Sequence, residues 1–142
     1  MISYQATNAD LEKVLETAAV HLSTGGLFLF DFWYGPAVLA QKPEVRVKRL
    51  EDREVRVTRI AEPSIYTDEN CVDVNYDIFI EQRDSWEITE IREKHKMRYI
   101  SLPELEHFLA AGKWSNHEAF EWLTNVPPDD SSWSAFVIAR RK

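Results

Sequence analysis

Apolar residues in the first quarter of the chain recur with two different periods. Leu11, Val14, Leu15, Ala18, Ala19 and Leu22 fall at steps of three and four, which is one helical face. Thr7 or Asn8 can cap that helix, Asp10 and Glu12 suit its first turn, and Gly25-Gly26 ends it. From Leu27 to Trp33 every residue but Asp31 is apolar. A run this short, bounded by Gly-Gly and Gly35-Pro36, predicts a strand buried on both faces. Helix, Gly-Gly and buried strand together make half of an α/β unit.

The middle of the chain alternates instead. Residues 45–50 (Val-Arg-Val-Lys-Arg-Leu) and 55–60 (Val-Arg-Val-Thr-Arg-Ile) alternate, with Glu51 to Glu54 as a turn between them. Val72, Val74, Tyr76, Ile78 and Ile80 share one face of a third run, opposite Asp73, Asn75 and Asp77. A fourth run covers about 87–100. Neighbouring segments with period two predict an antiparallel meander with one wet face. Ser101-x-x-Glu104 with Pro103 is a capping box, and Leu105, Phe108 and Leu109 give the following helix its apolar side up to Gly112. Residues 113–123 fit strand or helix equally. Pro127 to Asp130 reads as a loop, and Trp133 to Ala139 as a last strand before the basic tail Arg140-Arg141-Lys142.

Composition narrows the functional classes. A length of 142 residues is one domain's worth. Seventeen Lys and Arg against 24 Asp and Glu leave a net charge of −7, which argues against nucleic acid as the main partner. A single cysteine, Cys71, excludes an intramolecular disulfide and a zinc site built on cysteines. No run approaches the roughly 18 apolar residues of a membrane span. No basic-then-apolar leader opens the chain, so a cytoplasmic location is expected. Four glycines leave little material for a nucleotide-cradling loop, whereas five tryptophans and 12% aromatics point to a large buried surface, a stacking pocket or an interface.

No GxSxG, HExxH, P-loop or GxGxxG motif is present, and His21, His95, His107 and His117 are too scattered to suggest a metal site. Asp31 interrupts the apolar strand near its C-terminal end. It either faces a ligand crevice or bonds to a neighbouring loop. Trp33-Tyr34-Gly35-Pro36 either walls a pocket or forms an aromatic turn on the core. His95, Met97 and Tyr99 share a strand face, with Lys96 and Arg98 on the other. That face is either a base and a hydroxyl donor or a set of cross-strand pairs. Arg46, Lys48, Arg56, Asp73, Asp77, Glu90, Arg92 and Lys94 read as a solvated face, and Cys71 as a small core or edge residue.

The order of these elements resembles a known family. Helix, "HLSTGGLFLFDFWYGP", meander, "EKHKMRYISLPELEHFLAAG" and final strand are similar to the C-terminal half of class I S-adenosylmethionine-dependent methyltransferases, of the sugar N-methyltransferase and glycine-methyltransferase-like kind. His21 to Trp33 matches the family's fifth strand and the end of the helix before it. Glu93, His95, Met97, Arg98, Tyr99, Ser101, Glu104, Leu105 and Gly112 match the segment that leads into its next helix. Met1 to Tyr4 resembles the tail of the fourth strand, which approaches the methyl group of the cofactor. Lys113-Trp114 after Gly112 departs from the family pattern, which has a hydrophobic residue there.

The resemblance implies a truncated Rossmann-like methyltransferase sheet, partly α/β and partly α+β, with an inserted antiparallel meander and two to three helices. One domain would span 1–142, with helix and buried strand in 1–36, meander in 37–100, and helix and final strands in 101–142. The family's first half holds the cofactor, and nothing here replaces it. No cofactor is therefore expected on this chain alone, although the family uses S-adenosylmethionine; no metal is expected either. The implied role is a methyltransferase-like fragment that binds a small molecule without methyl transfer of its own, or the acceptor half of an enzyme completed by another polypeptide. Tyr4 and His95 are the catalytic candidates. Trp33, Tyr34, Tyr76, Arg98 and Tyr99 are the substrate-binding candidates. With no fourth strand beside it, strand 27–33 would be an apolar edge, so a homodimer through that strand or the helix 8–22 face is expected.

Overall fold

The computed structural model describes all 142 residues, the side chain of Asn116 excepted. A 3-10 turn at Ile2–Tyr4 precedes α1, Asn8–His21. Thr7 caps α1, its hydroxyl accepting from the Asp10 N–H, and Leu11, Leu15 and Ala19 are buried as their spacing predicts. Then follow β1 (Leu27–Tyr34) and α2 (Gly35–Gln41). The meander is β2 (Arg46–Glu51), β3 (Val55–Tyr66), β4 (Cys71–Gln82) and β5 (Ile88–Ile100). The chain ends with α3 (Leu102–Ala111), β6 (Trp114–Glu121) and β7 (Ser134–Arg141).

All seven strands join one mixed sheet in the order β2-β3-β4-β5-β1-β7-β6. The meander strands pair antiparallel throughout. β7 runs antiparallel along β1 from Leu27 to Trp33. On its other side β1 meets β5 in parallel, through Trp33–Tyr99 and Tyr34–Ile100 only. The β5-side edge of β1 therefore carries no strand from Leu27 to Phe32. At the top of that edge the Trp33 N–H donates to Ser3 Oγ at 2.8 Å, which clips the 3-10 turn onto the sheet.

Two cores lie on opposite faces. Under α1 and α3, Phe30, Phe32, Ile100, Ala135 and Val137 pack against Leu11, Leu15, Leu105 and Phe108. Under α2, Val38 packs against Val72, Val74, Met97 and Tyr99, with Trp33 at the margin. This two-sided arrangement fixes which side chains of β1 and β5 face each other.

Several expectations are corrected. β1 is buried on one face, not two: Phe32 is fully buried, while Leu27 and Leu29 are 54% and 58% exposed. Both long helices lie on the Phe30–Phe32 side, and α2 reaches only the far end of the other. The stretch after Gly35 is a helix and not the start of the meander. Pro36 suits its first turn, and seven residues are too few to show a helical period. Residues 114–121 are a strand, and Arg140 and Arg141 belong to β7 rather than to a tail. The capping box is half formed. Ser101 Oγ accepts from the Glu104 N–H, but the Glu104 carboxylate turns to Arg98. Asp73 is not solvated; it is buried at the inner end of β4 and meets Lys94 Nζ at 2.8 Å. Arg46, Lys48, Arg56, Glu90, Arg92 and Lys94 are exposed as expected. Cys71 is a core residue, and burial pushes its thiol up from the ordinary value.

Candidate functional site

The C-terminal half of β5 alternates its side chains between the two cores. Arg98 and Ile100 face α1 and α3, while His95, Met97 and Tyr99 face the α2 side. Met97 and Tyr99 are covered, but His95 lies beyond the end of α2 and stays 30% exposed. The 3-10 turn holds Ile2 and Ser3 in the core and projects Tyr4 outward from the same end of the sheet.

These two positions meet. Tyr4 Oη lies 2.8 Å from His95 Nδ1, across 91 residues of sequence. On the other side of the ring, His95 Nε2 lies 3.0 Å from Glu93 Oε2. An ionised carboxylate only accepts, so Nε2 carries the proton and donates it to Glu93. Nδ1 is then the lone-pair side and accepts from the Tyr4 hydroxyl. Tyr4 oxygen keeps its own lone pairs free to receive a proton from outside. Tyr76, on β4, stands edge-on to His95 with ring centroids 5.2 Å apart.

A groove of about 160 Å³ continues from Tyr76 along the same face, between Trp33, Trp133, Val74, Arg46 and Arg59. Trp33 and Trp133 meet edge to face at 5.4 Å, and the Arg59 guanidinium lies 5.2 Å over the Tyr76 ring. The groove offers flat aromatic walls with a rim that carries Arg46, Arg59 and Glu44. It suits a small organic molecule with a polar substituent.

Of the residues expected at a site, the structure brings Tyr4, His95 and Tyr76 together and sets Trp33 with Tyr76 in the groove. It does not gather the others. Arg98 is buried on the opposite face, where it donates to Asn8 Oδ1 at 2.6 Å and Glu104 Oε1 at 2.5 Å and lies over the Phe108 ring. It ties α1, β5 and α3 together and touches no groove on the Tyr4 side. Tyr34 packs edge-on to Phe32 in the α1–α3 core, because it follows Trp33 on a strand and so takes the other face. Tyr99 is 3% exposed beneath α2, and burial raises its hydroxyl above the usual value. Asp31 takes the loop-side reading, meeting the Met1 ammonium at 3.1 Å. Glu93, Trp133 and Arg59 were missed. Glu93 could have been found from its i, i+2 relation to His95 on one strand face; Trp133 comes from a distant loop and left no local signal.

No described group of three or more His, Cys, Asp or Glu side chains could hold a metal ion, and no helix is long and apolar enough to cross a membrane. A groove of about 440 Å³ lies between α1 and α3 on the face away from Tyr4 and His95.

No protein family matches the chain, and neither does any curated protein sequence. Solved structures do. The S-adenosylmethionine-dependent methyltransferase of Clostridium acetobutylicum superposes on 99% of this chain with a TM-score of 0.79 at 20% identity. The sugar N-methyltransferase KedS8 of Streptoalloteichus gives 0.74 over 99% at 17% identity. The amino pentose methyltransferase CalS10 of Micromonospora echinaspora gives 0.68 over 98% at 15% identity. The fold is methyltransferase-like. It accounts for 54%, 53% and 54% of those three chains, so this chain spans about half their length.

The residues present do not fit S-adenosylmethionine. A cofactor cradle at a strand end needs a backbone open to close approach. The one glycine at such a place, Gly35, is packed: a Cβ there would lie 3.3 Å from Tyr99 Cδ2 and 3.4 Å from the Ile100 backbone. Gly25 and Gly26 lie at the opposite end of β1, before Leu27, and Gly112 ends α3 against Trp114.

Proposed function

We propose that this chain is the acceptor-binding side of a methyl transfer. It holds a small molecule with a nitrogen or oxygen nucleophile and does not transfer methyl groups by itself. The observation behind this reading is the relay Tyr4–His95–Glu93, whose His95 ring touches Tyr76 at one end of an aromatic groove, on a methyltransferase-like fold. Methylation of an amine or hydroxyl leaves a proton to be removed from the nucleophile. Tyr4 oxygen can accept it while its own proton passes to His95 Nδ1, and Glu93 then faces the imidazolium that forms. Trp33 and Tyr76 hold the acceptor against this relay, and positioning of that kind supplies much of the rate in transfers between two bound groups. The methyl donor belongs to a cofactor-binding unit outside these residues.

Calorimetry and NMR test the two parts. The 142-residue chain is expected to give no heat of binding with S-adenosylmethionine; saturable binding would overturn the claim that it is inactive alone. NMR of the histidine-labelled chain is expected to show His95 protonated at Nε2. Protonation at Nδ1 would remove the proton-accepting role of the Tyr4 oxygen, and with it this reading.

A further inference from the structure

The groove of about 440 Å³ between α1 and α3 has the size of a small-molecule site. Its floor is Leu15 and Ala19 of α1 with the rings of Phe108 and Trp114, all buried. Its two walls carry opposite charge. Glu12 and Glu16 stand one turn apart on α1, and His107 and Lys113 stand across from them, on α3 and just beyond it. The ion pairs of α3 join Glu104 to Arg98 and Glu106 to His117, and leave all four of these side chains without a partner among the described residues. Two carboxylates four residues apart on a helix repel each other, and a cation between them removes the repulsion. The floor also holds an open donor. Gly112 closes α3 with φ −92°, which any residue adopts, so its backbone does not require glycine. Its missing side chain provides room instead: a Cβ would lie 3.3 Å from Trp114 Cδ1 and 3.7 Å from Trp114 Nε1. Trp114 is 2% exposed, and no described group accepts from its N–H, although a buried indole usually finds an acceptor. Gly112 and Trp114 both line the groove, so the bare glycine leaves this donor edge open to it.

We propose that this groove binds a small organic zwitterion with a flat apolar body. Its ammonium group lies against Glu12 and Glu16, and its carboxylate lies toward the Trp114 N–H, Lys113 and His107. The Tyr4–His95 pair is on the other face of the sheet, so this is a second ligand and not the methyl acceptor. Each part of the ligand answers one observation. The body takes water off an apolar floor. The ammonium offsets the repulsion between the two glutamates. The carboxylate supplies the acceptor that the indole lacks and faces two side chains that can hold positive charge. A hydrocarbon would leave both walls unmet, and a plain cation or anion would leave one. The bound molecule also bridges α1 and α3 across the groove, much as Arg98 joins them through Asn8 and Glu104.

The test uses para-(aminomethyl)benzoate, which carries the two charges at opposite ends of one ring. Titrated into the tryptophan-labelled chain, it is expected to move the Trp114 indole N–H signal along a saturating curve, with a Kd of about 1 mM or below. Benzylamine and benzoate each lack one end. Both should bind at least about tenfold more weakly, the effect of one charge-assisted contact. Glu12→Gln with Glu16→Gln should weaken the zwitterion by about the same factor without weakening benzoate. Both glutamates are exposed, so the double variant keeps the fold. Gly112→Val, which crowds the indole edge, should abolish the Trp114 response. A shift that does not saturate, or equal affinity for the zwitterion and benzylamine, would overturn the proposal. So would a Trp114 signal that moves with protein concentration alone, which would give the groove to a second copy of the chain.

Discussion

The Tyr4 hydroxyl and the His95 ring, at the two ends of the 91-residue separation that closes this site, share a hydrogen bond of 2.8 Å. Neither position is rigid alone. Tyr4 depends on Ser3, which accepts from the Trp33 N–H, and His95 depends on Glu93 for its tautomer. Replacing Glu93→Ala is expected to remove the preference for the Nε2 proton, giving a mixture of tautomers in the NMR spectrum of the labelled ring. Tyr4→Phe, which leaves the Glu93 contact, should keep the preference. Identical His95 signals in Glu93→Ala and the parent chain would show that Glu93 has no part in the relay.

Arg98 should behave as a structural residue and not as a ligand contact. It is 5% exposed, and its removal strands Glu104 and Asn8 against a helix start. Breaking a buried ion pair from one side typically costs about 3–5 kcal/mol. Glu104 retains some solvent, so Arg98→Ala is expected somewhat below that range, about 2–3 kcal/mol by urea unfolding. His95 tautomer signals should be unchanged in the folded variant. A loss below about 0.5 kcal/mol, the usual ceiling for surface substitutions, would contradict the role.

The contrast between Arg98 and Tyr4 shows what the sequence could carry. Local periods predicted α1, α3 and the whole meander, because a helix face or an alternating strand is written in adjacent residues. They also placed Arg98 on the face opposite His95, which should have removed it from the site. β1 misled because a continuous apolar run looks the same whether both faces are covered or one is left bare. α2 was hidden because seven residues hold no period. Trp133 and Glu93 show the two kinds of omission. The first reaches the groove only through tertiary packing, whereas the second stands at i−2 from His95, a relation written in adjacent residues.

Acid should weaken the fold through two exposed turns. Asp52 accepts from the Val55 and Glu54 N–H groups at 2.8 Å each, and these bonds hold its carboxyl below the ordinary 3.8. Asp129 is lowered likewise by the Ser131 hydroxyl and backbone and by Ser132. A depressed carboxyl contributes its full stability above the unfolded value. The contribution fades as pH falls through 3.8, where the unfolded chain takes up the proton first, and is gone below the folded value. The double variant Asp52→Ala, Asp129→Ala is therefore expected to lose less Tm than the parent between about pH 4 and pH 2. Parallel Tm profiles for the two proteins over that interval would show that neither turn is linked to acid stability.

The two faces of β1 make the sharpest energetic prediction. Phe32 is fully buried between α1, α3 and β7, and Leu29 is 58% exposed on the bare side. Phe32→Ala should cost about 3–5 kcal/mol, the transfer of a ring plus the cavity it leaves. Leu29→Ala in the isolated chain should cost under about 1 kcal/mol, because little of its surface leaves water on folding. Urea midpoints of the two variants at matched m values decide the matter. If Leu29→Ala cost as much as Phe32→Ala, something already covers that face in the isolated chain. A midpoint for Leu29→Ala that rose with protein concentration would identify the cover as a second copy.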